Sequence, residues 1–300
     1  MVEPPRVRRR RPPTPEQAAR RRLAALAAVV VVIGVLVVGA ALLIHSLQGS
    51  SASPPTVPPP PKPFRIVFPE GFTRADMAQR ITAVDAIALR ERGVHPHLSA
   101  RTYLAATAAK RRIPGFGTKR YALEGFLFPA TYDFVASTTS RQLVTSQLAA
   151  FARNWSSVNL AYARSKNLTP YDVLTIASLV EKEALAPEER AKIARVIYNR
   201  LHARMNLGID ASTRYGLNVP GTQSLTQSEL ASNNPYNTRN PNILGLPPTP
   251  IANPGLASIQ AAAHPAPGDW LYFVRKPDKV HHFFTSSYTA FENYARAHGY

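Results

Sequence analysis

The sequence predicts an α+β protein with an N-terminal transmembrane helix, a small strand-and-helix module and a larger helix-rich domain. Three observations support this fold class. Leu23–Ile44 contains no charged residue, FRIVF at 64–68 has the composition of a short strand, and several Ser, Thr or Pro residues stand directly before segments with helical periodicity. The 300 residues include no cysteine, which excludes disulfides, thiol nucleophiles and cysteine metal sites.

Residues 23–44 are predicted to span a membrane as a helix. At a rise of about 1.5 Å per residue, this segment matches the hydrocarbon core of a bilayer, which is roughly 30 Å thick. A cleaved signal peptide is the alternative, although its apolar region is shorter, about 7 to 15 residues, and a small-residue cleavage site follows it. Residues 1–22 form a basic tail with eight arginines and two glutamates. The positive-inside rule therefore predicts a cytoplasmic N-terminus and an external domain.

The strongly basic composition has two interpretations. The formal net charge is +18, and the N-terminal arginine cluster resembles a nucleic-acid patch. No recognition motif accompanies the cluster, so we predict no nucleic-acid partner and interpret the arginines as a topology signal that also favours anionic lipid headgroups. The excess of Lys and Arg beyond residue 22 suits a polyanionic or carboxylate-bearing partner outside the cell.

The first folded elements are predicted after a Ser/Pro-rich linker at 45–63, which has the composition of a semi-extended spacer. FRIVF predicts a strand and PEGF a turn, and Thr73 caps a helix to about Ala83. Ser99 caps a second helix. LEGFLFPATYDF, at 123–134, is predicted to be extended.

The C-terminal part is predicted to be mainly helical. Caps and first-turn prolines predict the helix starts at Thr139 or Ser140, at Thr169-Pro170 and at Pro187. Leu207–Pro254 is rich in Gly, Asn and Pro, and so long an irregular stretch usually carries function. The remaining predicted elements are a helix from Asn253-Pro254 to about Ala263, a hairpin around Pro277-Asp278, and a helix from about Thr289 to Ala297.

Two acids interrupt an apolar helix at Glu181-Lys182-Glu183. At 100° per residue, Glu181 shares a stripe with residues such as Leu174 and Ala177, whereas Glu183 points roughly 200° away. A glycosidase pair needs two carboxylates about 5 to 9.5 Å apart across one substrate, so these two are not expected to act together.

Glu181 has the position expected of a general acid. A carboxyl group on an apolar stripe loses solvation, which favours the neutral form that can donate a proton near neutral pH. The alternative is structural, because buried acids usually pair with a cation, here Arg195 or Arg200.

Several blocks resemble the YceG-like family of membrane-anchored endolytic peptidoglycan transglycosylases. They occur in the family's order, from about Phe64 to the C-terminus: RIVFPEGF, LEGFLFPATYDF, IASLVEKEA, ERAKIARVIYNRLHARM, YNTR, GLPPTPIANPG, AAAHPA and WLYFV with HHFF.

The resemblance implies a reaction and a domain plan. It implies that Glu181, the first acid of VEKE, is the catalytic residue. It also implies cleavage of the MurNAc–GlcNAc bond without water, the muramic 6-hydroxyl closing on its own anomeric carbon to leave a 1,6-anhydro end. One carboxyl group then suffices, first as acid and next as base. A LysM-like module is expected at 64–135 and a catalytic domain at 136–300, with no cofactor or metal. Expected partners are glycan strands, the cytoplasmic membrane and peptidoglycan synthases such as penicillin-binding proteins.

The resemblance also implies a set of substrate-binding positions, each with a structural alternative. In the structural alternatives, Glu124 holds a loop, Tyr132 is part of the core, and Asn199 is a cap or bonds a neighbouring loop. Asp210 lies in LGIDAST, which departs from the Thr-Asp-Pro run more usual in the family. The irregular stretch contributes three residues that are implied to bind sugar and that alternatively form a turn: Tyr236, Asn237 and Thr238.

His281 and His282 do not predict a metal site. Adjacent strand residues face opposite ways, and no acidic cluster accompanies these two, so we interpret them as structural. Two rival functions remain at this stage. A non-catalytic wall-binding or division scaffold would not need Glu181, and a tethered nucleic-acid binder would show salt-dependent DNA binding.

Overall fold

The computed structural model describes residues 15–48 and 62–300. The chain divides into two compact units, Met1–Pro60 and Pro61–Tyr300, and each is described by itself. The first part of the predicted basic tail and most of the predicted linker lie outside the described residues.

The described part of the first unit is one helix, α1, Pro15–Gln48. Its segment Ala19–Ser46 has a mean hydropathy of 3.1 over its most apolar window and is long enough to cross a bilayer. The leucines, valines and isoleucines of this segment are exposed, which is expected of side chains that face lipid. The predicted span at 23–44 lies within α1.

The strands of the second unit form three antiparallel pairs. In the first pair Phe64 lies opposite Phe134 and Ile66 opposite Tyr132. Ile66, Tyr132 and Phe134 are buried. The pairs are β1 (Phe64–Val67) with β4 (Thr131–Phe134), β2 (Arg111–Arg112) with β3 (Arg120–Tyr121), and β5 (Tyr272–Arg275) with β6 (His282–Thr285).

Helices make up most of the regular secondary structure of the second unit, in keeping with the α+β prediction. The cap residues predicted from sequence accept backbone N–H groups of the first turn, and those of α2, α4 and α6 complete reciprocal capping boxes. The helices are α2 (Arg74–Arg92), α3 (Ala100–Ala108), α4 (Ser140–Trp155), α5 (Ala161–Ser165), α6 (Pro170–Glu183), α7 (Arg190–His202), α8 (Asp210–Leu217), α9 (Gln227–Leu230), α10 (Leu256–Ala263) and α11 (Tyr288–Ala297), with a 3₁₀ turn at Pro187–Glu189.

Two predicted boundaries near the start of the second unit are wrong. Helix α2 continues past Ala83 to Arg92, because its second half contains good helix formers and a left-handed C-cap occurs only at Gly93. The stretch 123–134 is extended only from Thr131, since Gly125 has a positive φ of 88° and the backbone turns there.

Two further boundaries differ in the C-terminal half. The predicted irregular stretch contains α8 and α9. Helix α10 begins at Leu256 rather than directly after Asn253-Pro254, with Gly255 as its N-cap. Asn253 is unable to serve as the cap because its side chain bonds two other segments.

Helix α6 is the centre of the second unit. All eight residues from Val173 to Val180 are buried, and α7 and α10 pack against the helix. Burial of each large aliphatic side chain there contributes about 1.5 to 3 kcal/mol. This burial on every side fixes the orientation of α6, and with it the directions in which Glu181 and Glu183 point.

Asn253 joins segments from both halves of the second unit. Its backbone N–H donates to Phe72 O at 2.9 Å, and its carbonyl accepts from Gly71 N at 3.0 Å. Its side-chain oxygen accepts from Leu127 N at 2.9 Å. The segments 64–135 and 136–300 therefore share backbone contacts and a core, and a LysM-like identity for the first segment stays a prediction.

We predict that Gly125→Ala destabilises the second unit more than Gly115→Ala does. Both glycines have positive φ, 88° and 84°, so both alanines bear a backbone penalty of about 1 kcal/mol. Only at Gly125 would the new β-carbon meet a neighbour, Pro250 Cγ at 2.6 Å. This overlap adds about 1 to 3 kcal/mol. Urea unfolding in detergent, followed by tryptophan fluorescence, measures the difference, and equal losses would contradict it.

Candidate active site

The end of α6 places two acids in different surroundings. Glu181 and Glu183 are both partly exposed, while the apolar residues before them are buried. The helix ends because Ala184 is extended, with φ −80° and ψ 113°.

Glu181 faces the start of α10. Its Oε2 accepts the backbone N–H of Gly255 at 3.0 Å, which satisfies one donor at that helix end. The sequence alternative, an ion pair with Arg195 or Arg200, is not formed: those guanidinium groups donate to the carbonyl oxygens of Ala266 and Leu271.

A carboxylate that the sequence analysis missed, that of Glu70, lies beside Glu181. A β-carbon added to Gly255 would overlap this carboxylate, so Glu70 and Glu181 approach the same glycine. Burial, and then the charge of Glu181, raise the pKa of Glu70, whereas Arg190 opposes the shift. Glu70 belongs to the family block RIVFPEGF, and this membership was the sequence signal that could have identified it. The PEGF part of the block predicts only a turn.

Glu183 faces a separate cluster of charged side chains. Asp210 at the start of α8 forms an ion pair with Arg239, and Arg275 extends from β5. Burial raises the pKa of Glu183 to about 7, with a smaller contribution from Asp210, while Arg275, Arg239 and Lys182 lower it. Glu183 is thus a partly exposed residue whose carboxyl group has a raised pKa.

The two acids at the end of α6 have different partners. The tertiary fold surrounds Glu183 with charged groups and gives Glu181 a backbone N–H as its partner. The role of Glu181 as the general acid stays a prediction.

Glu124 is buried and serves as a junction. Its carboxylate accepts hydrogen bonds from Arg74 N at 3.1 Å, Tyr215 OH at 3.0 Å and Asn253 Nδ2 at 2.9 Å. Burial raises the pKa of Glu124 to about 7, although these donors lower it. At 5% exposure this carboxyl group is closed to a polymer, which matches the structural alternative stated for it.

Four other predicted substrate-binding positions use their polar atoms within the fold. Tyr132 OH donates to Phe128 O at 2.7 Å, and Tyr236 OH pairs with Thr249 Oγ1 at 2.9 Å. Asn237 and Thr238 are buried and bond the segments around α8 and α9. They hold the chain that carries Arg239 against Asp210, and their part in binding sugar stays a prediction.

Asn199 and Asp210 lie in different places. Asn199 Nδ2 donates to Trp270 O at 2.9 Å and to Gly268 O at 3.2 Å, so it holds a neighbouring loop, as its structural alternative stated. It also lines a cavity away from the two acids. Asp210 belongs to the Glu183 cluster. Of the seven predicted binding residues, Asp210 is therefore the one that changes the electrostatics of an α6 acid most directly.

Comparison with known proteins agrees with the motif blocks. A sequence profile described as the YceG-like family matches residues 43–297. The chain belongs to the YceG-like family.

The curated relatives that match this chain share one activity name. Proteins called endolytic murein transglycosylase from Streptococcus pneumoniae and Bacillus subtilis are 35% identical over 224 residues and 36% over 157 residues. These matches cover 70% and 52% of this YceG-like chain, but only 40% and 43% of the relatives. The chain thus spans about two fifths of the length of the curated relatives that it matches.

A solved structure has the same fold. The crystal structure of a YceG-like protein from Listeria monocytogenes is 28% identical, with a TM-score of 0.60. The match covers 76% of this chain and 75% of that one.

The adjacent histidines His281 and His282 of this YceG-like chain contact carboxylates. His282 is buried and its Nδ1 lies 2.7 Å from Glu189 Oε2. His281 contacts Asp278 and Glu188 at 2.9 and 3.2 Å, and these acids raise its pKa. The contacts with Glu188 and Glu189 fasten the β5–β6 hairpin to the turn before α7.

We expect Glu124→Ala to destabilise the second unit by about 3 kcal/mol or more, because three buried donors lose their acceptor at about 1 to 3 kcal/mol each. Glu91→Ala is the matched control, since Glu91 is exposed and pairs only with its neighbour Arg90. That change should cost at most about 1 kcal/mol. Unfolding by urea measures both, and similar losses would show that Glu124 is not a junction.

Proposed function

We propose that this chain is an endolytic lytic transglycosylase that cleaves the glycan strands of murein. Family membership and the names of its relatives support the activity and the substrate class. One structural observation supports the chemistry: Glu183 is a partly exposed residue at the end of α6, and its pKa, raised by burial to about 7, suits a general acid near neutral pH.

The proposed reaction breaks the bond between MurNAc and GlcNAc. The acid donates its proton to the departing GlcNAc oxygen as the C1–O bond breaks. The muramic 6-hydroxyl oxygen bonds to C1 and releases its own proton to the carboxylate, which regenerates the acid. Because the nucleophile belongs to the substrate, no water is consumed, and the product carries a 1,6-anhydro-MurNAc end.

Two assignments of the acid are open to experiment. The family resemblance and the apolar helical stripe predict Glu181, whose carboxylate lies at the start of α10 beside that of Glu70. The electrostatics favour Glu183, because burial and Asp210 raise its pKa while Arg239 and Arg275 stabilise the carboxylate left after proton donation. Helix α6 points the two side chains to different neighbours, so one acid serves the reaction and the other is structural.

The position relative to a membrane forms part of the proposal. We infer that helix α1 anchors the chain with its N-terminus in the cytoplasm and the second unit outside, where murein lies; the apolar length of α1 and the arginines before it support this orientation. Proposed partners are the peptidoglycan synthases, and glycan strands contact the irregular segment around Tyr236–Thr238. A non-catalytic scaffold is the alternative function.

We predict that Glu183→Gln lowers formation of anhydro ends by about 10² to 10⁴, because glutamine keeps the size of the side chain but donates no proton. Glu181→Gln is the matched control on the same helix and should lose far less. Mass spectrometry of glycan strands digested by the full chain in detergent measures both.

The pH profile distinguishes loss of the acid from loss of folding. Activity that needs protonated Glu183 should fall as pH rises through about 7, and Glu181→Gln should retain this limb. If Glu181→Gln is the inactive variant, the resemblance-based assignment is correct. If the wild-type chain yields no anhydro ends, the scaffold alternative is favoured.

The proposed orientation has its own test. A reporter enzyme active only outside the cytoplasm, fused after Tyr300, should be active. A reporter that works only in the cytoplasm, fused at the same position, should be silent. The reverse pattern would contradict the orientation without bearing on the chemistry.

A further inference from the structure

A cavity of about 840 Å³ lies at the opposite end of α6 from the two acids. It is lined by α5, the first half of α6, α7, Lys119 and the segment 246–248. This volume is in the range of sites that hold small molecules or short peptide groups. Asn199 is the one predicted substrate-binding residue in the lining, so the function described above leaves this cavity unassigned.

The lining carries an excess of positive charge. It includes Lys119, Lys166 and Arg195, and no described carboxylate lies within ion-pair distance of any of them. Arg195 is held in place by Tyr162 OH at 2.6 Å and by Pro265 O at 3.3 Å, both neutral groups. A fixed guanidinium and two lysines around one cavity favour a ligand with carboxylates or another anion.

One acid and three tyrosines restrict the ligand further. Asp172 is the acid of the lining, and its Oδ2 accepts from Thr169 N at 2.8 Å, while no described donor bonds its Oδ1. The tyrosines add flat apolar faces: Tyr162, Tyr171 and Tyr198. A free carboxylate oxygen accepts a peptide N–H, a donor that a polyphosphate lacks. The combination therefore fits a peptide with carboxylates better than it fits a polyphosphate.

The cavity is too far from either acid to hold the bond that is cleaved. Thr175 and Asp172 line it, and both belong to the helix that ends at Glu183. At about 1.5 Å per residue, they lie roughly 12 to 17 Å along the axis from Glu183 and roughly 9 to 14 Å from Glu181. A group bound in the cavity is therefore a remote part of the substrate, and such binding energy can position the reacting bond.

We propose that this cavity binds the carboxylate-bearing peptide side chains of a murein strand. The inference rests on the proposed function, because the peptides hang from the muramic residues of the strand that is cleaved. The lysines and Arg195 bind the carboxylates, Asp172 accepts peptide N–H groups, and the tyrosine faces cover the small aliphatic side chains.

Binding is tested with N-acetylmuramyl-L-alanyl-D-glutamate, which carries two carboxylates and no amine. Calorimetric titration into the full chain in detergent should show saturable binding. The double variant Lys119→Glu, Lys166→Glu should weaken binding about tenfold or more. Lys110→Glu is the matched control, because Lys110 is exposed and does not line the cavity. Absence of saturable binding, equal losses in both variants, or equally strong binding of inorganic phosphate would overturn the proposal.

A second measurement separates this proposal from the proposed function. Anhydro ends are counted for strands that carry peptides and for strands from which an amidase has removed them. The wild type and Lys110→Glu should cleave the peptide-bearing strands several-fold faster, and the double variant should lose that preference. Equal cleavage of both kinds of strand by the wild type would contradict the peptide site but not the proposed function. If neither kind of strand is cleaved, the proposed function is contradicted, and the binding titration still tests whether the cavity binds the peptide.

Discussion

The hydrogen bonds of Asn253 are the interaction on which the rest of the second unit depends. Its backbone bonds the turn at Gly71 and Phe72, and its side chain bonds Leu127 and the carboxylate of Glu124. Segments more than a hundred residues apart thereby meet beside the buried helix α6. Because buried donors and acceptors are expensive to leave unpaired, this junction permits little displacement of the turn that carries Glu70 or of the start of α10.

The fixed orientation of α6 gives its two terminal acids different chemistry. Both are glutamates on one short segment, so their local sequence does not distinguish them. Glu181 meets the N-terminus of α10, where the backbone N–H of Gly255 donates a hydrogen bond to its carboxylate. Glu183 meets Asp210, Arg239 and Arg275, groups that come from three other parts of the chain. In many sites with two carboxyl groups, the environment of each group rather than its residue type sets its pKa, and the environment therefore decides which group acts as the acid.

One rigid helix also connects the proposed chemistry to the proposed peptide site. Val173–Val180 is buried throughout, so the distance between the cavity at Asp172 and the acid at Glu183 is set by helix geometry rather than by loops. A substrate held at both ends of such a helix would be oriented before reaction, which reduces the entropy lost on approach to the transition state. A polymer with regularly spaced side groups is suited to contact at two fixed points.

The sequence by itself determined the local features of this protein. The apolar run predicts α1, and Thr73, Thr139 and Thr169 predict helix starts, because capping depends on residues three positions apart. Family blocks identified the transglycosylase resemblance. Tertiary structure alone decided that the carboxylates of Glu70 and Glu181 lie side by side and that Asn253 forms a junction. It also decided which environment raises the pKa of Glu183 and which residues line the cavity at Arg195. Each of these depends on groups distant in the chain, and the desolvation and Coulomb energies that matter there are functions of distance in space rather than along the sequence.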